Sequence, residues 1–232
     1  MLRKTIAALA LLLLVSGTAN ALELTSRQVH LSGSVSLSKV QGITEKLIKL
    51  NSVSHDPIFL MINSPGGSVA AGFVLIDVMK SIESPVYAVI ESAAYSMGAI
   101  IAVFCSKRYM YKHATMMFHE ASYGTLGEDP SIRSRIGFNS RYLDKLHKEI
   151  AARIGMSPKQ YRTKIRDGWW LLADEAKKAG VIDEVVEKIS YRHLFIEKIT
   201  IKKTVTEYKE RQISPPTFKP TRKSRPPKRT PR

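Results

Sequence analysis

The sequence predicts an α/β fold with a largely parallel sheet covered by helices. Three observations carry this. Short apolar runs alternate with segments of helical periodicity through the first half of the chain. The connections between the runs are about a dozen residues long, too long for hairpins and suited to crossover helices. Hydrophobic residues make up 44% of the 232 positions and charged residues 24%, a globular composition. No internal repeat of fixed period is present.

The elements follow in order. Gln28 to Val35 alternates like a strand and closes near Gly33. Leu37 to Leu50 places Val40, Ile43, Leu47 and Leu50 at helical spacing. Pro57 to Ile62 is a short apolar strand, and Asn63 to Ser68 is a turn by composition. Val69 to Ile82 is helical, with Phe73, Ile76 and Met79 on one face. Pro85 to Ile90 reads as a buried strand and Met97 to Phe104 as an apolar helix. Arg108 to Tyr111 and Thr115 to Phe118 are two further strands. Ile136 to Ile154 carries Tyr142, Leu146, Ile150 and Ile154 on one stripe. Ser157-Pro158-Lys159-Gln160 is a capping box with proline at the first helical position. Ala173 to Ala179 has acids early, bases late and Gly180 as a stop, all favourable to the helix dipole. Val181 to Val186 reads as a short strand after it.

The ends of the chain differ from this body. Residues 1–21 have the pattern of a secretory leader: Arg3-Lys4, the apolar run Ile6 to Val15, and Ala19-Asn20-Ala21 as a small-x-small cleavage motif. The apolar run is about half of the roughly 20 residues that span a bilayer. The expectation is a mature chain from Leu22, exported across the inner membrane and periplasmic; the alternative is an anchor formed by an uncleaved leader. Residues 213–232 hold six prolines and seven Lys or Arg with no acid, the composition of a disordered basic tail. Of the net charge of +16, seven units lie in the tail and two in the leader, leaving +7 for residues 22–212. The tail suits an anionic surface, or is simply solvated. No specific nucleic acid is expected as partner. The domain boundaries are therefore 1–21, 22–212 and 213–232.

Three places carry possible chemistry. Ser96 sits where a buried strand meets a helix, among the small residues Ala93, Ala94, Gly98 and Ala99. There the helix N-terminus offers N–H groups to an oxyanion; a tight turn is the plainer reading. His119 follows the apolar run Met116-Met117-Phe118 and is placed to deprotonate a serine, if it is not simply structural. Ser64-Pro65-Gly66-Gly67-Ser68 lets the backbone approach a ligand closely, or is an ordinary loop.

Taken together, the string Ile62-Asn63-Ser64-Pro65-Gly66-Gly67-Ser68-Val69, then Ser96-Met97-Gly98-Ala99, then Met117-Phe118-His119 closely resembles the ClpP family of serine peptidases. The resemblance runs from about Gln28 to Val186. It implies a crotonase/ClpP-like spiral of ββα units with a helical handle, here within Ser122 to Ile154. It implies Ser96 as nucleophile, His119 as general base, and the backbone N–H groups of Gly67 and Met97 as oxyanion donors. Asp167, before Gly168-Trp169-Trp170, matches the third triad member, but stands one residue further from the Ala-x-Glu-Ala helix than in the family. Asp174 and Asp144 are the alternatives. Glu120-Ala121 replaces the family's Gln-Pro after the histidine, and Tyr95 replaces a small residue.

The resemblance implies a serine endopeptidase whose usual partners are cytosolic ATP-driven unfoldases; the leader pattern departs from that context, and the expectation is a secreted, ATP-independent enzyme. Its substrates are peptides or unfolded proteins, and it is a homo-oligomer, a ring by resemblance. A binding protein that kept the fold is the alternative. An acyl-CoA enzyme and a Ser-Lys peptidase fit less well: the histidine stands in the family's block, and Lys80 and Lys107 lack supporting context. Asp56, Glu91 and Glu120 form no metal motif, so neither metal nor organic cofactor is expected. Cys105 reads as a buried small hydrophobe, and Trp169-Trp170 as core or an oligomer contact.

Overall fold

The computed structural model describes residues 21–192. The leader up to Asn20, the end of the expected peptidase domain (193–212) and the basic tail lie outside the described residues.

Five parallel strands form the spine of a seven-stranded sheet, in the order β2 (Gln28–Ser32), β3 (Ile58–Ser64), β4 (Val86–Tyr95), β5 (Lys107–Tyr111) and β8 (Glu184–Val186). The crossover helices are α1 (Leu37–Val53), α2 (Val69–Ser81) and α3 (Met97–Phe104). This is the mixed α/β architecture expected, consistent with a crotonase-like spiral. Ser36 and Ser68 cap α1 and α2, accepting from the N–H groups of Lys39 and Ala71.

The sheet forks at β4. Tyr87 to Ile90 pair with β5, whereas Ala93 to Tyr95 pair in parallel with β6 (Thr115–Phe118). The far half of the ten-residue β4 therefore exchanges β5 for β6 as its neighbour on one side, while Ala94 still pairs with Ser64 of β3 on the other. β7 (Trp169–Leu172) closes that branch, antiparallel to β6.

β3 is covered on both faces, which is why its sequence is a continuous apolar run rather than an alternating one. Ile58, Leu60 and Ile62 are fully buried in the main core with α1, α2 and α3. Phe59 and Met61 point the other way, into a second cluster with Leu22, Leu24, Val89 and Val186. Leu22 and Leu24 belong to β1 (Ala21–Leu24), which pairs in parallel with β9 (Lys188–Tyr191).

The second half holds α4 (Asp129–Arg153), α5 (Pro158–Ile165) and α6 (Ala173–Lys178). Only the C-terminal part of α4 is buried, through Leu146, His147, Ile150 and Ala151. Ser157 and Gln160 form both bonds of the capping box at α5. Among the described residues, no helix is long and apolar enough to cross a membrane.

Two expectations are corrected by the structure. The strand around Pro85 to Ile90 runs on to Tyr95, because its far half has its own partner in β6. The long helix begins at Asp129 rather than Ile136, with Pro130 in its first turn. Trp169 and Trp170 are strand residues with different fates: Trp169 packs on the core, and Trp170 is 59% exposed.

Candidate active site

The fork in the sheet builds the site. β4 and β6 run parallel with Tyr95 opposite Met117, so both strands end at the same edge. Ser96 is one residue past that pair and His119 two. The Ser96 N–H donates to the Met117 carbonyl at 2.8 Å and fastens the two ends together. His119 Nε2 then lies 2.9 Å from Ser96 Oγ, within hydrogen-bond reach of a nucleophile–base pair.

Ser96 pays a conformational cost for its position. Its φ of 52° and ψ of −122° make it the one non-glycine residue with positive φ among the described residues. Such strain persists where the surroundings over-determine it. Here strand β4, the bond to Met117 and the immediate start of α3 all fix the backbone. The Ser96 side chain does not cap α3, so its hydroxyl is left to the imidazole.

The Gly66-Gly67 loop is pressed against this turn. A Cβ on Gly66 would meet Ser96 Cβ at 2.6 Å and the Tyr95 carbonyl at 2.7 Å; one on Gly67 would meet the Val35 carbonyl at 2.5 Å. Only glycine fits in both places, and both have positive φ. Ser64 braces the loop, donating to the Gly33 carbonyl and accepting from the Gly66 N–H. The Gly67 N–H makes no hydrogen bond among the described residues. Met97 is the first residue of α3, where N–H groups lack intrahelical partners. Both N–H groups belong to residues lining the cavity that holds Ser96 and His119, about 220 Å³ in volume. That cavity offers a nucleophile, a base and two candidate oxyanion donors together.

The aspartates fall elsewhere. Asp167 makes no hydrogen bond to His119; its carboxylate accepts two from Arg166, at 3.0 and 2.7 Å, on an exposed turn. Those bonds hold its pKa below the ordinary carboxylate value. Asp144 pairs with Lys148 and Arg162, and the Lys148 bond lowers its pKa likewise. Asp174 sits in the first turn of α6. None of the three bonds to His119, whose Nδ1 has no hydrogen-bond partner among the described residues. Tyr95 turns sideways, bonding Thr115 Oγ1 at 2.7 Å and packing edge-on against Trp170. Cys105 is buried, and burial pushes its thiol up to about 12, as an inert hydrophobe.

With this geometry, comparison with known proteins is specific. The sequence model of the Clp protease family matches residues 16–189. The chain belongs to the Clp protease family. It is 34% identical over 171 residues to the ATP-dependent Clp protease proteolytic subunit of Streptococcus mutans, covering 71% of this chain and 86% of that protein. It is 32% identical over 173 residues to the subunit of Streptococcus suis, with the same coverage. It is 29% identical over 168 residues to proteolytic subunit 2 of Treponema pallidum, covering 71% of this chain and 84% of that one.

Sequence reasoning missed one residue near the site. His147, 4% exposed, lines the same cavity as Ser96 and His119. Glu120, directly after His119, places Oε2 3.8 Å from His147 Nε2. The signal for His147 was available: it lies one residue after Leu146 and three before Ile150, on the shoulder of the buried stripe. No group of three or more His, Cys, Asp or Glu stands close enough to hold a metal among the described residues.

Proposed function

We propose that this Clp protease family member is a serine endopeptidase that cleaves peptides or unfolded chains through an acyl-enzyme at Ser96. The observation that carries the reading is the 2.9 Å contact between His119 Nε2 and Ser96 Oγ at a strained strand-to-helix turn. In the first step His119 takes the Ser96 proton as Oγ bonds to the scissile carbonyl carbon. The Gly67 and Met97 N–H groups receive the oxyanion. Collapse breaks the C–N bond, and the amine leaves with the proton from His119. Water, activated by the same imidazole, then hydrolyses the ester. Asp167 is the proposed third member, orienting His119 once its carboxylate exchanges Arg166 for the ring. The pairing with Arg166 favours a second reading, a binding protein that has kept the fold.

The relatives are named as ATP-dependent subunits. For this chain we propose ATP-independent action in the periplasm, because the first 21 residues have the leader pattern and export would separate it from ATP. A homo-oligomer, possessing a ring by resemblance, is the proposed assembly, and the basic tail is the proposed contact with anionic surfaces.

The test is labelling of the mature chain (22–232) with a fluorophosphonate probe, beside Ser96→Ala and His119→Ala. Labelling at Ser96 that is lost in both variants, with peptide cleavage unaffected by ATP, is the expected result. A folded wild-type protein that takes no label would support the binding protein instead.

A further inference from the structure

The oxyanion of the acyl-transfer step falls to two backbone N–H groups, at Gly67 and Met97. The direction of the first is set by the peptide it belongs to. The Gly66 carbonyl accepts from the Val35 N–H at 2.8 Å. A trans peptide is planar, so its N–H points opposite to its C=O, and no cis peptide occurs among the described residues. The Gly67 N–H is thereby turned away from residues 33–35. On the far side of the loop stands the Ser96 turn: a Cβ on Gly66 would meet Ser96 Cβ at 2.6 Å and the Met97 nitrogen at 3.0 Å. Rotating this one peptide by half a turn would aim the Gly66 carbonyl, an acceptor, at the place of the oxyanion. Gly66 and Gly67, both at positive φ, have no side chain to resist such a rotation.

Ser64 opposes it. The residue is fully buried at the end of β3. Its Oγ donates to the Gly33 carbonyl at 2.7 Å and accepts from the Gly66 N–H at 3.1 Å. Gly66 is therefore tied at both polar groups, its N–H to Ser64 and its carbonyl to Val35, and the torsions between them are fixed. The same serine supports the second donor. A Cβ on Gly98 would meet Ser64 Cβ at 3.1 Å and Oγ at 3.3 Å, so the first turn of α3, which carries the Met97 N–H, is seated directly on it. We propose that Ser64 is a positioning residue for the reaction at Ser96, holding the oxyanion donors in place without touching the substrate. This rests on the peptidase reading above and adds to that site a residue outside its triad.

A peptide aldehyde reads the oxyanion donors directly. Ser96 Oγ adds to the aldehyde carbon, its proton passes to His119, and the carbonyl oxygen becomes the oxyanion of a hemiacetal. The matching alcohol fills the same subsites and forms no such bond. The test measures inhibition by acetyl-Leu-Leu-leucinal and acetyl-Leu-Leu-leucinol, with kcat and KM on the acetyl-Leu-Leu-Leu coumarin amide. Leucine suits the apolar walls that Val69, Met97, Ile100, Leu143 and Leu146 give the cavity. The mature chain is compared with Ser64→Ala and with Ser64→Cys, which keeps nearly the size but bonds weakly. Fluorophosphonate labelling of Ser96 is followed in the wild type. Deleting an oxyanion donor outright costs about 100- to 1,000-fold in kcat. Misplacing one through Ser64→Ala is expected to cost about 10- to 100-fold in kcat, with KM held within about twofold. The aldehyde inhibition constant should rise by the same factor while that of the alcohol stays put, and Ser64→Cys should fall between. Inhibition constants do not depend on how much of a sample is folded, so partial misfolding cannot produce this split. An unchanged aldehyde constant in Ser64→Ala overturns the proposal. Equal weakening of aldehyde and alcohol also overturns it, because Ser64 would then shape the subsites rather than the donors. Should Ser64→Ala not fold, Ser64→Cys decides by the same two readings. Absence of labelling at Ser96 in the wild type overturns the peptidase reading, and this inference falls with it.

Discussion

The Ser96–His119 pair is held by the backbone, but His119 has no orienting partner among the described residues. In a serine triad the third carboxylate fixes the tautomer of the base and stabilises the imidazolium. Asp167 meets Arg166 instead, in an ion pair on an exposed turn. Exposed pairs of this kind contribute little to stability, so little opposes the exchange of partner. Asp167→Asn is therefore expected to lower kcat by about 100-fold or more while leaving the melting temperature nearly unchanged. Steady-state kinetics beside a thermal melt check both halves. An unchanged kcat would remove Asp167 from the triad, and the same measurement on Asp144→Asn and Asp174→Asn would test the alternatives. The sequence made Ser96, His119 and Gly67 legible because each stands in a block whose residue types the geometry requires. It left the third member open because an aspartate's role depends on which way a surface turn faces, and no local pattern records that.

The helix α4 shows how one element can divide between two tasks. Its first half presents Ile136 and Phe138 to solvent, while its second half buries His147 beside Tyr161. This predicts an acid sensitivity. The charged groups facing His147 are Glu120, Asp144 and Arg162, but burial dominates and holds its folded pKa below the unfolded value of 6.5. A depressed histidine contributes stability that is present above the unfolded pKa and is lost as pH falls through the folded one. The wild type should thus lose more melting temperature between pH 7 and pH 5 than His147→Gln does; equal losses would mean that the imidazole is not held neutral. The elements differed in how clearly the sequence announced them. Helices α1 and α2 were plain because each buries one face at a period of 3.6, and α3 because it is an unbroken apolar run, buried on nearly every side. The extension of β4 and the strand β7 were obscured because the small residues Ala93 and Ala94 carry no periodic signal. Trp169-Trp170-Leu171-Leu172 is too short and too uniformly apolar to declare its period.

Across the whole molecule, the first described strand is held by a partner from the other end of the described residues. The proposed cleavage after Ala21 falls within β1, which spans Ala21–Leu24. Leu22 and Leu24 fill the second core cluster against Phe59, Met61, Val89 and Val186. Read from sequence, this stretch is only the boundary of a leader, because the partner that makes it a strand, β9, lies more than 160 residues away. That distance explains why local patterning did not reveal it. A new N-terminus at Leu22 would be held in place by two buried leucines rather than left as a loose end. Leu24 is fully buried, so Leu24→Ala is expected to cost about 2–5 kcal/mol. By contrast, the half-exposed Ile189 on β9 should tolerate alanine far better. Thermal or urea unfolding of the mature chain checks the contrast. If Leu24→Ala unfolds like the wild type, β1 contributes nothing to the core, and the fold begins at β2.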